Sequence, residues 1–218
     1  MKKLHTLLLG VGASCLAFLV SPFLLARSAF AESVVAPTTA SAVIERFYGV
    51  LLDSMKQANT LGYEGRRTKL APVVEQTYDL PFMAKVATGK YWKELDPAAQ
   101  QRFIDTFTRL TVANYAGRFN GYDGENFVIL SEGDGGQDTA LVKTKLVPKD
   151  DNPVELNYRL RQQDGSWRII DVYLNGTVSE LALHRAEYTA KIEREGFEAL
   201  LHALEDKITT LASGKAAD

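Results

Sequence analysis

The fold class follows most directly from residues 167–204, WRIIDVYLNGTVSELALHRAEYTAKIEREGFEALLHAL. The β-branched and aromatic residues at the start of this segment predict a strand, and Asn175-Gly176 predicts a turn. The apolar residues that follow recur at helical spacing on both sides of Gly196, which predicts two amphipathic helices separated by that glycine. The end of the chain is therefore predicted to be strand, turn, helix, helix.

The first 31 residues have the composition of an export leader. Lys2 and Lys3 give a basic start, residues 7–20 are an apolar run, and Ala29-Phe30-Ala31 fits the small-x-small pattern of signal peptidase. We therefore expect a signal peptide over residues 1–31 that is cleaved after Ala31. An uncleaved membrane anchor is the alternative, because the apolar run continues almost to the cleavage site.

The composition divides the rest of the chain into a linker at residues 32–40, a single domain at residues 41–212 and a disordered tail at residues 213–218. Cleavage would leave 187 of the 218 residues, with 22 basic and 27 acidic side chains and a formal charge of −5. This charge argues against general nucleic-acid binding, which needs a basic surface. The single cysteine, Cys15, lies in the leader, so we expect no disulfide and no thiolate metal site in the mature protein. We expect a periplasmic location.

Helices are predicted first along this domain. Apolar residues at helical spacing predict one helix over residues 43–55 and another through residues 70–77. Asp79-Leu80-Pro81 predicts a break and the start of a short helix. Asp96-Pro97 predicts the start of a long helix, with Asp as the N-cap and Pro at the first helical position.

Four strands are predicted next, and the connections between them are short. The turns are rich in Gly, Pro, Asn and Asp, and the glycine-rich residues 133–136 are interpreted as one of them. Such connections predict an antiparallel meander. The predicted strands are residues 127–130, 139–147, 154–161 and 167–174.

The alternation within these strands predicts one covered and one solvated face of the sheet. Val142, Thr144 and Leu146 share one face of the second predicted strand, whereas Lys143 and Lys145 share the other. The third predicted strand alternates in the same way. We therefore predict an α+β fold, a four-stranded antiparallel sheet covered on one face by helices.

A curved sheet covered in this way can enclose an apolar pocket that is open at one end. Each lipid CH₂ removed from water contributes about 0.8 kcal/mol, so such a pocket binds a lipid without a charged group. For any single residue the alternative is an ordinary core position. Two aromatic residues, Trp167 and Tyr173, are expected on the covered face or near the mouth. The expected lining is Phe82, Phe103, Phe107, Tyr115, Val142, Thr144, Leu146, Leu156, Tyr158 and Leu160.

Catalytic and metal-binding patterns are lacking in the sequence. His184 and His202 are the histidines outside the leader, and neither has a His or Cys partner at metal-ligand spacing. Both are interpreted as surface or capping residues. We expect no catalytic residues, no metal and no cofactor, and thus a binding protein. An enzyme that uses Asp171 or His184 is the weaker alternative.

Basic residues cluster at Arg66, Arg67 and Lys69. One interpretation is a solvated helix face. The other is a basic patch that guides the protein to anionic lipid headgroups or to a partner.

The order of residues over approximately positions 43–211 resembles that of the MlaC-type periplasmic lipid carriers, the toluene-tolerance auxiliary family. The resemblance includes Tyr91 before the helix start LDPAAQ at residues 95–100. The turn at residues 176–179 is one residue longer than the family's Gly-Val-Ser turn, and His184-Arg185 replaces a frequent Tyr-Arg pair. The resemblance is strongest at Trp167, Asp171, Gly176 and residues 185–197.

Within this family, the segments at residues 61–89 and 171–185 resemble the hopanoid-biosynthesis-associated, HpnM-type branch. The family resemblance implies a carrier that holds lipid tails inside the domain and shuttles them between the inner and outer membranes. It also implies an inner-membrane lipid transporter complex and an outer-membrane protein as partners. The branch resemblance implies that the cargo or the genetic context involves hopanoids, so the expected lipid is phospholipid or hopanoid. We expect a monomer, and a non-catalytic adaptor of such a complex is the alternative function.

Overall fold

A computed structural model of the chain describes residues 39–214. The expected signal peptide, most of the expected linker and most of the expected tail lie outside the described residues. None of the helices within residues 39–214 is long and apolar enough to cross a membrane.

The helical part of the described chain contains six α-helices and one 3₁₀ helix, Gly89–Glu94. The predicted helices at residues 43–55, after Asp79, after Asp96 and on both sides of Gly196 are all present. The predicted helix through residues 70–77 is the end of a longer one. In chain order, the helices are α1 Ala40–Lys56, α2 Ala58–Thr77, α3 Leu80–Thr88, α4 Pro97–Arg118, α5 Glu180–Glu195 and α6 Phe197–Ala212.

Two helix starts that the sequence predicts are formed by side-chain caps. The Asp79 carboxylate accepts a hydrogen bond from the backbone N–H of Phe82 at the start of α3. The Asp96 carboxylate accepts one from the N–H of Ala99 at the start of α4. Each helix also has a proline in its first turn, where the missing N–H removes no helical hydrogen bond. These caps fix where the two helices begin beneath the sheet.

The sheet has five antiparallel strands in the order β1-β2-β3-β4-β5, one more than the sequence predicts. The additional strand β5 has only two residues, which pair with Tyr173 and Leu174. So short a strand shows no detectable alternation, which is why the prediction of four strands is wrong. The strands are β1 Asn126–Gly136, β2 Thr139–Val147, β3 Val154–Gln163, β4 Ser166–Leu174 and β5 Val178–Ser179.

The first hairpin corrects the interpretation of the glycine-rich residues 133–136. These residues belong to β1, and the turn lies at Gln137 and Asp138, whose φ angles are 54° and 57°. The pairing of β1 with β2 shifts in register between Asp134 and Gly136. Glycine within a strand often marks such a bulge, so the glycines here indicate an irregular strand.

The covered face of the sheet carries the core of the domain, as the alternation predicts. Val142, Tyr158 and Leu160 are buried beneath the helices. The opposite face is less uniformly solvated than predicted, because Asn157 on that face is also buried. The Asn157 amide oxygen accepts a hydrogen bond from the N–H of Thr144, which lies on the neighbouring strand. This bond accounts for a buried polar side chain on the solvated face.

The basic cluster on α2 is divided between two environments. Arg66 is only 8% exposed and donates hydrogen bonds to the carbonyl oxygens of Ala116 and Ala58. Arg67 is exposed and pairs with Glu64 on the same helix, and Lys69 pairs with Asp53 on α1. The cluster is therefore neither a free solvated face nor an unpaired basic patch.

Candidate functional site

A cavity of about 140 Å³ lies between the covered face of the sheet and the helices α3 to α6. Its apolar part is formed by strands β3 and β4 on one side and by α3 and α4 on the other. Phe107 and the residues that follow it at helical spacing lie on the face of α4 that is directed toward the sheet. A single helix therefore supplies much of this wall. The aliphatic and phenyl side chains of the lining are those of Met83, Phe107, Phe119, Leu156, Val172 and Leu174.

Three tyrosines, Tyr78, Tyr115 and Tyr158, complete the inner wall of the cavity. The hydroxyls of Tyr78 and Tyr115 are hydrogen-bonded to each other. Behind them, the hydroxyls of Tyr48 and Thr144 lie 2.5 Å apart, and Thr144 donates to the carbonyl oxygen of Leu156. Burial raises the pKa of Tyr78, Tyr115 and Tyr158 well above 10. These hydroxyls therefore remain neutral and form a polar network next to an apolar space.

The opening of the cavity has a different chemistry, because polar and charged side chains from three helices meet there. Helix α4 contributes Thr111, Asn114 and Arg118, which follow Phe107 at intervals of three and four residues. This spacing places them on one face of the helix. Helices α5 and α6 add Glu180, His184 and Lys207. We refer to these six residues as the opening.

The electrostatics of the opening are set by burial and by its mixed charges. Burial raises the pKa of the Glu180 carboxyl, although the cations Arg118 and Lys207 act to lower it. Burial lowers the pKa of the His184 imidazole, which therefore favours its neutral form. The Oδ1 atom of Asn114 is buried and has no hydrogen-bond partner within residues 39–214. Arg118 is exposed, whereas Asn114 and His184 each place a buried polar atom without a hydrogen-bond partner at the opening.

Two comparisons with known proteins identify the family and the fold. The family model described as MlaC protein matches residues 45–206. The chain belongs to the MlaC family. Its fold is similar to that of a phospholipid-binding protein from Ralstonia solanacearum, solved in complex with a phospholipid, with a TM-score of 0.67 and 21% sequence identity. That alignment covers 79% of this chain and 98% of the Ralstonia protein. A comparison with curated protein sequences gave no match.

The cavity of this MlaC-family domain contains part of the lining that the sequence suggests. The side chains of Phe107, Tyr115, Leu156 and Tyr158 surround it. Phe103, which precedes Phe107 by one helical turn, is fully buried and packs against Phe107 with 6.1 Å between ring centroids. Phe103 thus supports the wall from behind.

Three other residues of the suggested lining are core residues of the sheet. Val142, Thr144 and Leu160 have no exposed surface and do not line the cavity. They lie on the covered face, as predicted, but beneath other side chains. The alternation of apolar and polar residues identifies which face of a strand is covered. It cannot show which covered residues lie next to a cavity.

The remaining residues of the suggested lining lie away from the cavity. Phe82 is half-buried beneath the guanidinium of Arg161, at 4.1 Å from the ring centroid. Leu146 and Trp167 are half-buried and lie outside the lining. Tyr173 alternates with the lining residues on either side of it in β4, so it points to the opposite face of the sheet. The expected position of Tyr173 on the covered face or near its mouth is therefore wrong.

His184 also differs from its interpretation as a surface or capping residue. Its ring is stacked on Tyr188, with 5.2 Å between centroids, and meets Phe107 edge-on at 6.2 Å. Because α5 packs its inner face on α3 and the sheet, His184 is carried into the cavity wall. His202, in contrast, is exposed on α6, as the sequence suggests.

Asp171 holds the start of α5. Its carboxylate accepts hydrogen bonds from the Ser179 hydroxyl at 2.6 Å and from the N–H of Leu181 at 3.2 Å. Asp171 is buried and lies outside the cavity lining. The arrangement fixes the turn from β4 into α5, and thereby places Glu180 and His184 at the cavity.

Sequence reasoning did not identify the charged residues of the opening. Arg118, Glu180 and Lys207 come from three helices, and their meeting depends on how those helices pack. A signal for two of their neighbours was available, because Thr111 and Asn114 are polar residues on the same stripe of α4 as Phe107. Polar residues on an otherwise apolar stripe indicate a wet or ligand-facing position.

Proposed function

We propose that this protein is a periplasmic lipid-binding carrier that shuttles phospholipid or hopanoid between the inner and outer membranes. The observation that carries the proposal is an apolar cavity whose opening is lined by charged and polar side chains. This division matches an amphiphile, with tails inside and a polar group outside. Membership of the MlaC family and a shared fold with a phospholipid-binding protein support the same conclusion.

The physical basis of binding is the burial of hydrocarbon. About 0.8 kcal/mol is gained for each CH₂ that leaves water, so a tail of several methylenes is held without any charged contact to the protein. The lining of Met83, Phe107, Leu156 and Val172 presents side chains suited to such a tail. The cavity thus binds a lipid tail by transferring it from water to an apolar environment, and no chemical reaction is needed.

The size of the cavity implies that lipid uptake moves its walls. Its volume of about 140 Å³ is below the range of about 300–1,000 Å³ that is usual for ligand sites. A long tail therefore enters only when side chains or helices separate. Helices α5 and α6 are suited to this movement, because a single exposed residue, Gly196, joins them.

The test is to express the chain with its own leader, purify it from periplasm without detergent, and analyse it by native mass spectrometry with lipid extraction. We expect a lipid bound at one molecule per chain, and the extract identifies its class. Leu156→Trp should fill the cavity and remove the lipid.

The matched control is Leu130→Trp, which makes the same change at an exposed position of β1 away from the cavity. This variant should keep its lipid. Circular dichroism and thermal unfolding establish that both variants fold. Lipid retained by a folded Leu156→Trp protein would contradict the assignment of this cavity.

A non-catalytic adaptor of a lipid-transport or hopanoid-biosynthesis complex predicts a different outcome. Such a protein would be purified without lipid and would refuse added lipid, and filling the cavity would leave its docking unchanged. An inner-membrane lipid transporter complex and an outer-membrane protein are the partners we propose for the carrier. Pull-down from solubilised membranes with the purified protein tests both.

A further inference from the structure

The opening of the cavity contains acceptors that lack donors. Glu180 lines the cavity and forms no ion pair within 4.0 Å among residues 39–214. The Oδ1 atom of Asn114 is buried and, within the same part of the chain, accepts no hydrogen bond. The buried amide oxygen is costly when it is unpaired, and the half-buried carboxylate has no partner among the described residues. A ligand with N–H donors would satisfy them.

The same opening contains cations that lack carboxylate partners. Neither Arg118 nor Lys207 is within 4.0 Å of a carboxylate in the described residues. Both act on Glu180 and His184 from a longer distance. A guanidinium and an ammonium that face one cavity are the groups with which proteins commonly bind phosphate.

Resting on the proposed function, we propose that the opening selects phospholipids with a zwitterionic headgroup, a phosphate followed closely by a primary ammonium. Arg118 and Lys207 bind the phosphate. Glu180 accepts hydrogen bonds from the ammonium, and Asn114 accepts another. A primary ammonium has three donors, which suits a carboxylate and an amide oxygen together.

Other headgroups satisfy fewer of these groups. A phosphoglycerol headgroup brings the phosphate but places only neutral hydroxyls at Glu180, whose charge stays uncompensated. A quaternary ammonium brings a positive charge but has no N–H for Asn114. Hydrogen bonds to charged groups are stronger than hydrogen bonds between neutral groups. The difference in binding free energy between these headgroups therefore arises mainly at Glu180. Glu180 is therefore the specificity-determining residue.

The test is a competition between two lipids with identical acyl chains. Purified full-length protein, freed of lipid, is incubated with vesicles of equal parts phosphatidylethanolamine and phosphatidylglycerol, separated from them, and its bound lipid is quantified by mass spectrometry. We expect phosphatidylethanolamine to be enriched about tenfold on the protein, which corresponds to about 1.4 kcal/mol. Glu180→Gln should remove this enrichment, so that the bound lipid approaches the vesicle ratio.

The matched control is Glu193→Gln, which removes the same charge from an exposed position on the same helix. It should keep the enrichment of the unmodified protein. Bound lipid in the vesicle ratio, unchanged by Glu180→Gln, would overturn the headgroup proposal and leave lipid carriage intact. No uptake of either lipid by the unmodified protein would instead overturn the proposed function.

Discussion

At the scale of single residues, Arg66 illustrates how a charged side chain becomes part of the interior. Its guanidinium lies between α2 and α4 and donates to the carbonyl oxygens of Ala116, at 2.9 Å, and Ala58, at 3.1 Å. The Ala116 carbonyl lies in the last turn of α4, where carbonyls lack helical donors. The Ala58 carbonyl lies in the first turn of α2, four residues before the non-helical backbone of Gly62. Arg66 thus links the end of α4 to the start of α2.

We expect Arg66→Ala to lower the free energy of unfolding by about 2–3 kcal/mol, because it removes two buried hydrogen bonds and leaves the Ala116 carbonyl without a donor. Arg67→Ala, the next residue, breaks only an exposed pair with Glu64 and should cost less than about 1 kcal/mol. Urea denaturation at constant pH measures both. Equal losses for the two variants would contradict the structural role of Arg66.

Glu180 has opposite effects on the proposed lipid binding, which uses its carboxylate, and on the stability of the folded protein, which that buried charge lowers. Burial raises the pKa of its carboxyl above 4.5, so the folded protein binds this proton more tightly than the unfolded chain does. Its favourable contribution is therefore present below pH 4.5 and is lost as the pH rises through the folded-state pKa. His184 has the opposite dependence, since its lowered pKa makes its contribution complete above pH 6.5 and reduces it as the pH falls.

Replacing Glu180 isolates one of these two effects. Glu180→Gln cannot ionise, so we expect a higher melting temperature than the unmodified protein at about pH 7 and a difference near zero at about pH 4. Thermal unfolding of both proteins at the two pH values gives this difference. The contribution of His184 is the same in both proteins and therefore cancels. A variant that is less stable at neutral pH would indicate that the carboxylate is paired in the folded state.

At the scale of elements, the sequence predicts those helix starts and turns that are determined by interactions between residues close together in the chain. Asp79 and Asp96 begin helices because a carboxylate can cap the N–H groups next to it. Asn175-Gly176 turns the chain because both residues have positive φ angles, 50° and 76°. Each of these signals is complete within a few residues, and each is confirmed by the structure.

The features that the sequence does not predict depend on distant parts of the chain. Residues 133–136 have turn composition but pair with β2, because the hairpin closes further along. His184 has charged neighbours in sequence, yet α5 carries it into the cavity. The opening joins α4, α5 and α6, so neither periodicity nor spacing within one helix could reveal it.

The connection between α5 and α6 gives a prediction about backbone conformation. Gly196 has φ 90° and ψ 168°, a region that is almost exclusive to glycine, and a Cβ there would meet no atom within 4 Å. Gly196→Ala should therefore cost about 1–3 kcal/mol through backbone strain alone.

The control for Gly196 is the same substitution in an ordinary helical conformation. Gly49 lies within α1 and also has open space at its Cβ position. Gly49→Ala should stabilise the protein by about 1 kcal/mol, because alanine favours the helix. Opposite signs in denaturant midpoints would support this account, and a destabilised Gly49→Ala protein would refute it.

At the scale of the whole molecule, tyrosine hydroxyls join α1, α2, α4 and the sheet. Burial raises the pKa of Tyr48 to about 12, and it raises the pKa of Tyr78, Tyr115 and Tyr158 as well. Their folded-state pKa values exceed the unfolded value of about 10. The stability they contribute is thus present below pH 10 and is lost as the pH rises further.

We expect the free energy of unfolding to fall steeply above about pH 10, and tyrosinate absorbance of these residues to appear only with unfolding. Tyr158→Phe should weaken that pH dependence, at a cost of about 1 kcal/mol near neutrality. Tyr122→Phe, at an exposed position, should leave it unchanged. Urea midpoints between about pH 7 and pH 11 distinguish the two variants.

The order of elements along the chain also has a consequence for folding kinetics. Each strand pairs only with strands next to it in sequence, so the sheet can form hairpin by hairpin with little loop-closure entropy. The cavity cannot form in this stepwise way, because α5 and α6 complete it from the C-terminal end of the described chain. We therefore expect the chain to become able to bind a ligand in the last step of folding, when these helices close over an already formed sheet.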